Sequence, residues 1–149
     1  MADRLAPLGP LAIVVSPLRR TRETAVALER RWRAARVEPA VGEIPTPRDV
    51  PFTARGPWLR SVMTRKWADV DPSLRQWRDR VLDTLSALPA STVVVSHFVA
   101  INVVVGAATA DERVISFSPD HCSVTVVEVE RGRLRLVERG AEGTAARPI

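Results

Sequence analysis

Short runs of valine, isoleucine and leucine alternate along this chain with stretches in which apolar residues recur every three or four positions. A continuous apolar run is typical of a strand buried on both faces of a parallel sheet, and the three- and four-residue spacing is typical of a helix with one buried face. The pattern predicts strands at residues 11–15, 37–44, 92–96, 122–130 and 134–138. It predicts helices at residues 17–35, 57–65, 72–88 and 98–108. This order predicts an α/β fold, a three-layer sandwich around a mostly parallel central sheet.

Capping and turn residues support these boundaries. Ser16 is a favoured N-cap and Pro17 suits the first helical position, so we expect the first long helix to begin there. Asp71-Pro72 marks the start of another helix, and Arg131-Gly132 predicts the turn of a hairpin between the last two strands.

Residues 48–71, which hold Pro51, Gly56 and Pro57, form a long excursion between the second strand and the long third helix. Long irregular connections of this kind often act as binding lids, and this one carries Phe52, Trp58 and Trp67. Core packing is the commoner fate of tryptophan, so both interpretations stay open.

Length and composition indicate one globular domain, which we expect to span residues 1–140, with a frayed tail at 141–149. Basic residues exceed acidic ones by five, and all of them but Lys66 are arginine. They are interleaved with acids, which disfavours a nucleic-acid partner and fits a small anionic substrate. No leader pattern or membrane-length apolar run occurs, so we expect a soluble cytoplasmic protein without a membrane partner.

The candidate chemistry lies where two buried strands end. Ser16 and Arg20 follow the strand at residues 11–15, and His97 follows the strand at residues 92–96. Ligands of parallel α/β sheets bind off the carboxyl ends of the strands, and helix starts with nearby guanidinium groups bind anions. The sequence therefore predicts phosphate chemistry at this edge, with Glu43 as a carboxylic acid that could protonate a leaving alkoxide.

Each of these residues also has a plainer interpretation. Most arginines of such a chain are solvated surface charges, an isolated histidine is more often structural, and Glu43 is about as easily a surface residue. The strand-end positions favour function for Arg20 and His97.

The second histidine and the single cysteine carry weaker signals. His121 is expected to face solvent, and Cys122 to be buried in a strand rather than to act as a nucleophile. A metal site from His97, His121, Cys122 and Asp120 has no standard spacing, so we expect no metal.

Three segments together carry a resemblance to a known family: SPLRRTRETA at residues 16–25, a glutamate after a short strand, and VVVSH at residues 93–97. With this combination the chain resembles the histidine phosphatase superfamily, which has the phosphoglycerate mutase-like fold. The resemblance implies that Arg20 and His97, with Ser16, bind a transferring phosphoryl group and that Glu43 donates the leaving-group proton. It implies a phosphatase or mutase acting on a small phosphorylated metabolite, without cofactors.

The sequence departs from this pattern in one respect. The family's first strand carries an Arg-His-Gly motif whose histidine attacks phosphorus, and no Arg-His-Gly occurs here. Residues 1–10 resemble the end of the helix that follows that strand, which implies an N-terminally truncated fold and weak or absent turnover. The alternative is a non-catalytic remnant that binds phosphorylated ligands or a protein. Loss of a central strand leaves unpaired backbone, so the strands at 11–15 and 92–96 should pair with each other, recruit another chain or leave an aggregation-prone edge. We expect a homodimer or poor solubility.

Overall fold

The computed structural model describes residues 1–143, which fold as five helices and five strands joined by loops and 3-10 turns. The elements are α1 (Ala2–Leu5), β1 (Ala12–Val15), α2 (Arg19–Glu29), β2 (Arg36–Val37), α3 (Arg55–Met63), α4 (Pro72–Ser86), β3 (Thr92–Val95), α5 (Phe98–Thr109), β4 (Val126–Glu130) and β5 (Arg133–Glu138). Short 3-10 turns occupy Ala6–Leu8, Pro39–Val41, Phe52–Ala54 and Trp67–Asp69. The predicted α/β fold with a parallel sheet is confirmed.

The parallel sheet has three strands in the order β2-β1-β3. Strand β1 lies in the centre and pairs directly with β3, from Ala12 opposite Thr92 to Val15 opposite Val95. Ile13, Val14 and Val15 are all buried, although successive side chains of a strand point to opposite faces. Both faces of β1 are therefore covered, as its continuous apolar sequence predicts.

The main core lies between α4, α5 and the segment that leads into α4. The predicted stripe of α4 is buried at Leu74, Trp77 and Val81. Trp67 is 1% exposed and stacks at a tilt on Trp77, with 6.4 Å between ring centroids. Trp67 therefore packs in the core, whereas Phe52 is 90% exposed.

Asn102 is a fully buried polar residue on α5 that fixes the chain beyond this helix. Its Oδ1 accepts the backbone N–H groups of Ser116 and Phe117 at 2.8 and 3.1 Å, and its Nδ2 donates to the carbonyl of Phe98. Because an unpaired buried N–H is costly, this side chain specifies where the loop at residues 116–117 sits.

The predicted start of α2 was wrong by two residues. Leu18, not Ser16, is the N-cap, and its backbone is extended. The Ser16 hydroxyl contacts His97, and Thr21 Oγ1 bonds back to the carbonyls of Ser16 and Leu18. A tertiary contact therefore takes the hydroxyl that local preference assigns to capping.

Two predicted strands are shorter than expected. Strand β2 ends at Val37 because Pro39 lacks a ladder N–H and opens a 3-10 turn, in which Glu38 accepts the N–H of Ala40. Strand β4 begins at Val126, and Cys122 is exposed in a turn with a left-handed φ of 55°. The expectation that Cys122 is a buried strand residue was wrong.

The predicted hairpin forms between β4 and β5, which pair antiparallel as a separate two-stranded sheet. Arg131 and Gly132 both have positive φ, as a tight hairpin turn requires. Of the expected tail, residues 141–143 bond to the loop at 118–120, and residues 144–149 lie outside the described part. Within residues 1–143 no helix combines the length and apolar character needed to span a membrane.

Candidate functional site

The candidate site lies at the carboxyl edge of the parallel sheet, where β1 and β3 end side by side. Ser16 follows β1 directly, and its N–H donates to the carbonyl of Val95 at 3.1 Å. His97 is the N-cap of α5 and stands two residues beyond the end of β3. Helices α2 and α5 therefore both begin at this edge, with their free N–H groups on the same side of the sheet.

Arg20, in the first turn of α2, connects the site. One of its guanidinium nitrogens lies 2.6 Å from Glu43 Oε2 and 3.0 Å from His97 Nδ1. Glu43 Oε2 lies 3.7 Å from the same ring nitrogen. The structure thus brings together the guanidinium, the carboxylate and the imidazole. The outermost two of these residues in sequence, Arg20 and His97, are 77 residues apart.

Exposure rises outward through this group. The side chain of His97 is 2% exposed, that of Glu43 is 18% exposed and that of Arg20 is 60% exposed. A ligand approaching from solvent therefore meets the Arg20–Glu43 ion pair before it meets the imidazole.

The hydrogen bonds of His97 define its tautomer. A guanidinium can only donate, so Nδ1 must accept from Arg20. In the neutral ring the proton is then on Nε2, which donates to Ser16 Oγ at 2.7 Å. Ser16 Oγ also accepts the N–H of Leu18 at 3.3 Å. In this arrangement the imidazole does not draw a proton from Ser16, so the geometry does not activate Ser16 as a nucleophile.

The charge state of His97 follows from the same surroundings. Burial lowers the pKa of its imidazole from 6.5 to about 4, and the positive charge of Arg20 acts in the same direction. The ring is therefore neutral at pH 7, in agreement with its acceptor role at Nδ1.

Two residues that position the site were given no role from the sequence, although Ser96 belongs to the VVVSH segment at residues 93–97. Ser96 Oγ donates to the carbonyl of Val41 at 2.7 Å and so ties the end of β3 to the turn that carries Glu43. Gly42 lies between Val41 and Glu43, and a Cβ at this position would lie 2.9 Å from the carbonyl oxygen of Pro39. Glu43 follows this tight turn, not the end of a strand as predicted.

The other candidate residues lie outside this group. His121 is exposed in a loop, as predicted. Cys122 beside it is also exposed, contrary to the prediction. Among residues 1–143, no cluster of three histidine, cysteine, aspartate or glutamate side chains could hold a metal ion.

Comparison with known proteins relates this chain to a family. A sequence profile of the histidine phosphatase superfamily (branch 1) matches residues 1–142. The phosphoglycerate mutase of Thermus thermophilus is 24% identical, with 95% of this chain and 80% of that one covered and a TM-score of 0.57. Mycobacterial glucosyl-3-phosphoglycerate phosphatase is 22% identical over 95% of this chain and 83% of its own, with a TM-score of 0.66.

A second structure of that mycobacterial phosphatase, in complex with VO3, is 23% identical over 91% of this chain and 78% of its own, with a TM-score of 0.61. No curated protein matches the chain. At these identities the solved structures establish the fold, and the sequence profile establishes the kinship.

Proposed function

This chain belongs to the histidine phosphatase superfamily, and on that premise we propose that it binds small phosphomonoesters at the carboxyl edge of its parallel sheet. Arg20 and His97 form the phosphate-binding group. Ser16, which the sequence predicted to bind phosphate, is fully buried and instead holds the imidazole of His97 at Nε2. Glu43 is the acid that protonates a leaving alkoxide. The reaction class is that of a phosphatase.

The observation that carries this proposal is the contact of Arg20 with both Glu43 and His97 in front of two helix starts. Guanidinium groups bind phosphate oxygens in two parallel hydrogen bonds, and helix N-termini favour anions. Fixed donors of this kind stabilise the charge that spreads over the oxygens of a transferring phosphoryl group.

The nucleophile decides how much turnover follows. This sequence has two histidines, of which His97 uses both ring nitrogens in hydrogen bonds and His121 is exposed in a loop. We therefore propose that hydrolysis through a phosphohistidine is weak or absent in this chain. The second candidate function, phosphate-ligand binding without turnover, is favoured by the same engaged imidazole.

A binding experiment tests the site, and a turnover experiment separates the two functions. We expect inorganic phosphate to bind in a calorimetric titration, and Arg20→Ala to weaken it at least tenfold. Arg22→Ala is the matched control, because Arg22 is an exposed arginine on the same helix with no ion pair among the described residues. Equal affinity of both variants would rule out the phosphate site.

Turnover is measured as phosphate released from p-nitrophenyl phosphate. We expect little or none. Robust release that disappears in His97→Ala, together with a phosphohistidine trapped on this chain, would overturn the proposal of weak hydrolysis.

We further propose that the chain forms a homodimer through β3. Within residues 1–143, β3 pairs with β1 alone, so its other edge is unpaired. Its sequence TVVV has no charged residue that would disfavour pairing with another strand. The hairpin strands β4 and β5 and the outer strand β2, by contrast, carry glutamate or arginine. A neutral strand edge is self-complementary, so two copies related by a two-fold axis can pair β3 with β3 in antiparallel fashion.

A further inference from the structure

The charges of the candidate site cancel in the free protein. Arg20 contributes one positive charge, Glu43 contributes one negative charge, and buried His97 is neutral at pH 7. Among residues 1–143, Arg20 from α2 and Glu43 from the turn after β2 are the charged side chains in contact with the ring. The neighbouring Arg19 is directed away into an ion pair with Glu23.

Glu43 occupies the position that an anionic ligand needs. Its Oε2 lies 2.6 Å from the guanidinium nitrogen that also contacts His97, so the carboxylate already accepts the donor that faces the imidazole. A phosphate dianion placed there would lie beside a carboxylate of the same charge. An anion that takes this nitrogen as its donor displaces Glu43 from it, and like charges at this distance favour an added proton.

The hydrogen bonds also show where that proton can go. Nε2 of His97 already carries a proton and donates it to Ser16, so the free base of the ring is Nδ1. The lone pair of Nδ1 accepts from Arg20 in the free protein. When Arg20 turns to an anion, this lone pair loses its donor and faces the new negative charge.

We propose that Glu43 is an internal latch on Arg20, and that a phosphate-like anion displaces it while one proton from solvent binds to Nδ1 of His97. The resulting imidazolium keeps its bond from Nε2 to Ser16 and donates from Nδ1 to the anion. The bound state then pairs two cationic donors with the dianion. This inference rests on the proposed anion site and adds its regulation by pH.

The test uses sulfate, because this dianion does not itself titrate near neutral pH. Calorimetric titration of the full chain in buffers with different ionisation enthalpies gives the number of protons taken up. We expect about one proton per sulfate at pH 7, and an affinity that falls about tenfold per pH unit between the pKa of His97 in the free protein and its higher pKa in the bound state. In the ¹⁵N spectrum, sulfate should convert Nδ1 of His97 from unprotonated to protonated.

Two variants assign the parts. Glu43→Gln removes the latch, so we expect at least tenfold tighter sulfate binding with proton uptake retained. His97→Gln should abolish the uptake, and where this buried substitution prevents folding, the ¹⁵N spectrum of the unaltered chain decides the point. Arg22→Ala is the control and should change neither quantity.

The outcomes separate this inference from the function on which it rests. Sulfate binding that needs Arg20 but takes up no proton would overturn the inference and leave the anion site standing. Unchanged affinity in Glu43→Gln would exclude the latch. Uptake that persists in His97→Gln but vanishes in Glu43→Gln would overturn the inference, because the proton would then be on Glu43, as its proposed role as the acid requires. Absence of binding, or binding indifferent to Arg20→Ala, would remove the anion site itself.

Discussion

Replacing Ser16 by alanine tests the hydrogen-bond network that holds the imidazole. Ser16 is fully buried, and its hydroxyl accepts Nε2–H of His97 at 2.7 Å and the N–H of Leu18 at 3.3 Å. Ser16→Ala leaves both donors without this acceptor. A buried donor without a partner costs about 1 to 3 kcal/mol, and the longer, partly buried bond to Leu18 adds less, so we expect a total of about 2 to 4 kcal/mol. That is a large part of the roughly 5 to 15 kcal/mol that separates folded from unfolded domains.

Urea denaturation followed by tryptophan fluorescence measures this loss. The matched control is Ser86→Ala at the end of α4, where a half-buried serine makes no side-chain hydrogen bond among the described residues and should change stability by less than about 0.5 kcal/mol. The ¹⁵N spectrum of His97 gives a second readout that a general loss of packing would not move. We expect the Nε2–H tautomer in the unaltered chain and a shift in the tautomer balance in Ser16→Ala.

Two results would refute the reasoning. A Ser16→Ala variant as stable as Ser86→Ala would show that the hydroxyl is not the needed acceptor. An Nδ1–H tautomer in the unaltered chain would show that Arg20 does not donate to that nitrogen. The assigned hydrogen bonds between Arg20, His97 and Ser16 would then be wrong.

Three further predictions concern pH, the buried amide and the open sheet edge. Since burial and Arg20 lower the pKa of folded His97 from 6.5 to about 4, the unfolded chain binds more protons between these values. The contribution of His97 to the free energy of unfolding is complete above pH 6.5 and falls by up to about 3 kcal/mol as the pH drops to 4. If the stability of His97→Gln, measured in urea, fell as steeply over this pH range, the assignment to His97 would be contradicted. Asn102→Leu leaves the buried N–H of Phe117 and the part-buried N–H of Ser116 unpaired and should cost about 2 to 4 kcal/mol in urea denaturation, whereas a loss under about 1 kcal/mol would mean that the loop finds other partners. Val94→Lys should convert the expected dimer to a monomer in light scattering while Val137→Lys on β5 leaves it a dimer, and a monomeric unaltered chain at tens of micromolar would end the β3 proposal.

Periodicity alone determined most of the regular structure. The runs at β1 and β3 are continuous and β-branched, and such runs are stable chiefly as strands buried on both faces. The stripe of α4 and its Asp71 cap are equally local signals, and the cap bond to the N–H of Ser73 forms as expected. For the same reason the sequence located Ser16, Arg20 and His97 at strand ends, and the carboxyl-edge rule placed them on one side of the sheet.

The tertiary structure alone decided what these residues do to one another. Whether Ser16 caps a helix or holds an imidazole depends on a partner 81 residues away, and only the pairing of β1 with β3 brings that partner near. The depressed pKa of His97 and the charge cancellation between Arg20 and Glu43 likewise require burial and distances that no local pattern contains. Local sequence specifies backbone conformation through nearest-neighbour preferences, whereas electrostatics acts through space, so the chemistry of this site was fixed when the chain folded.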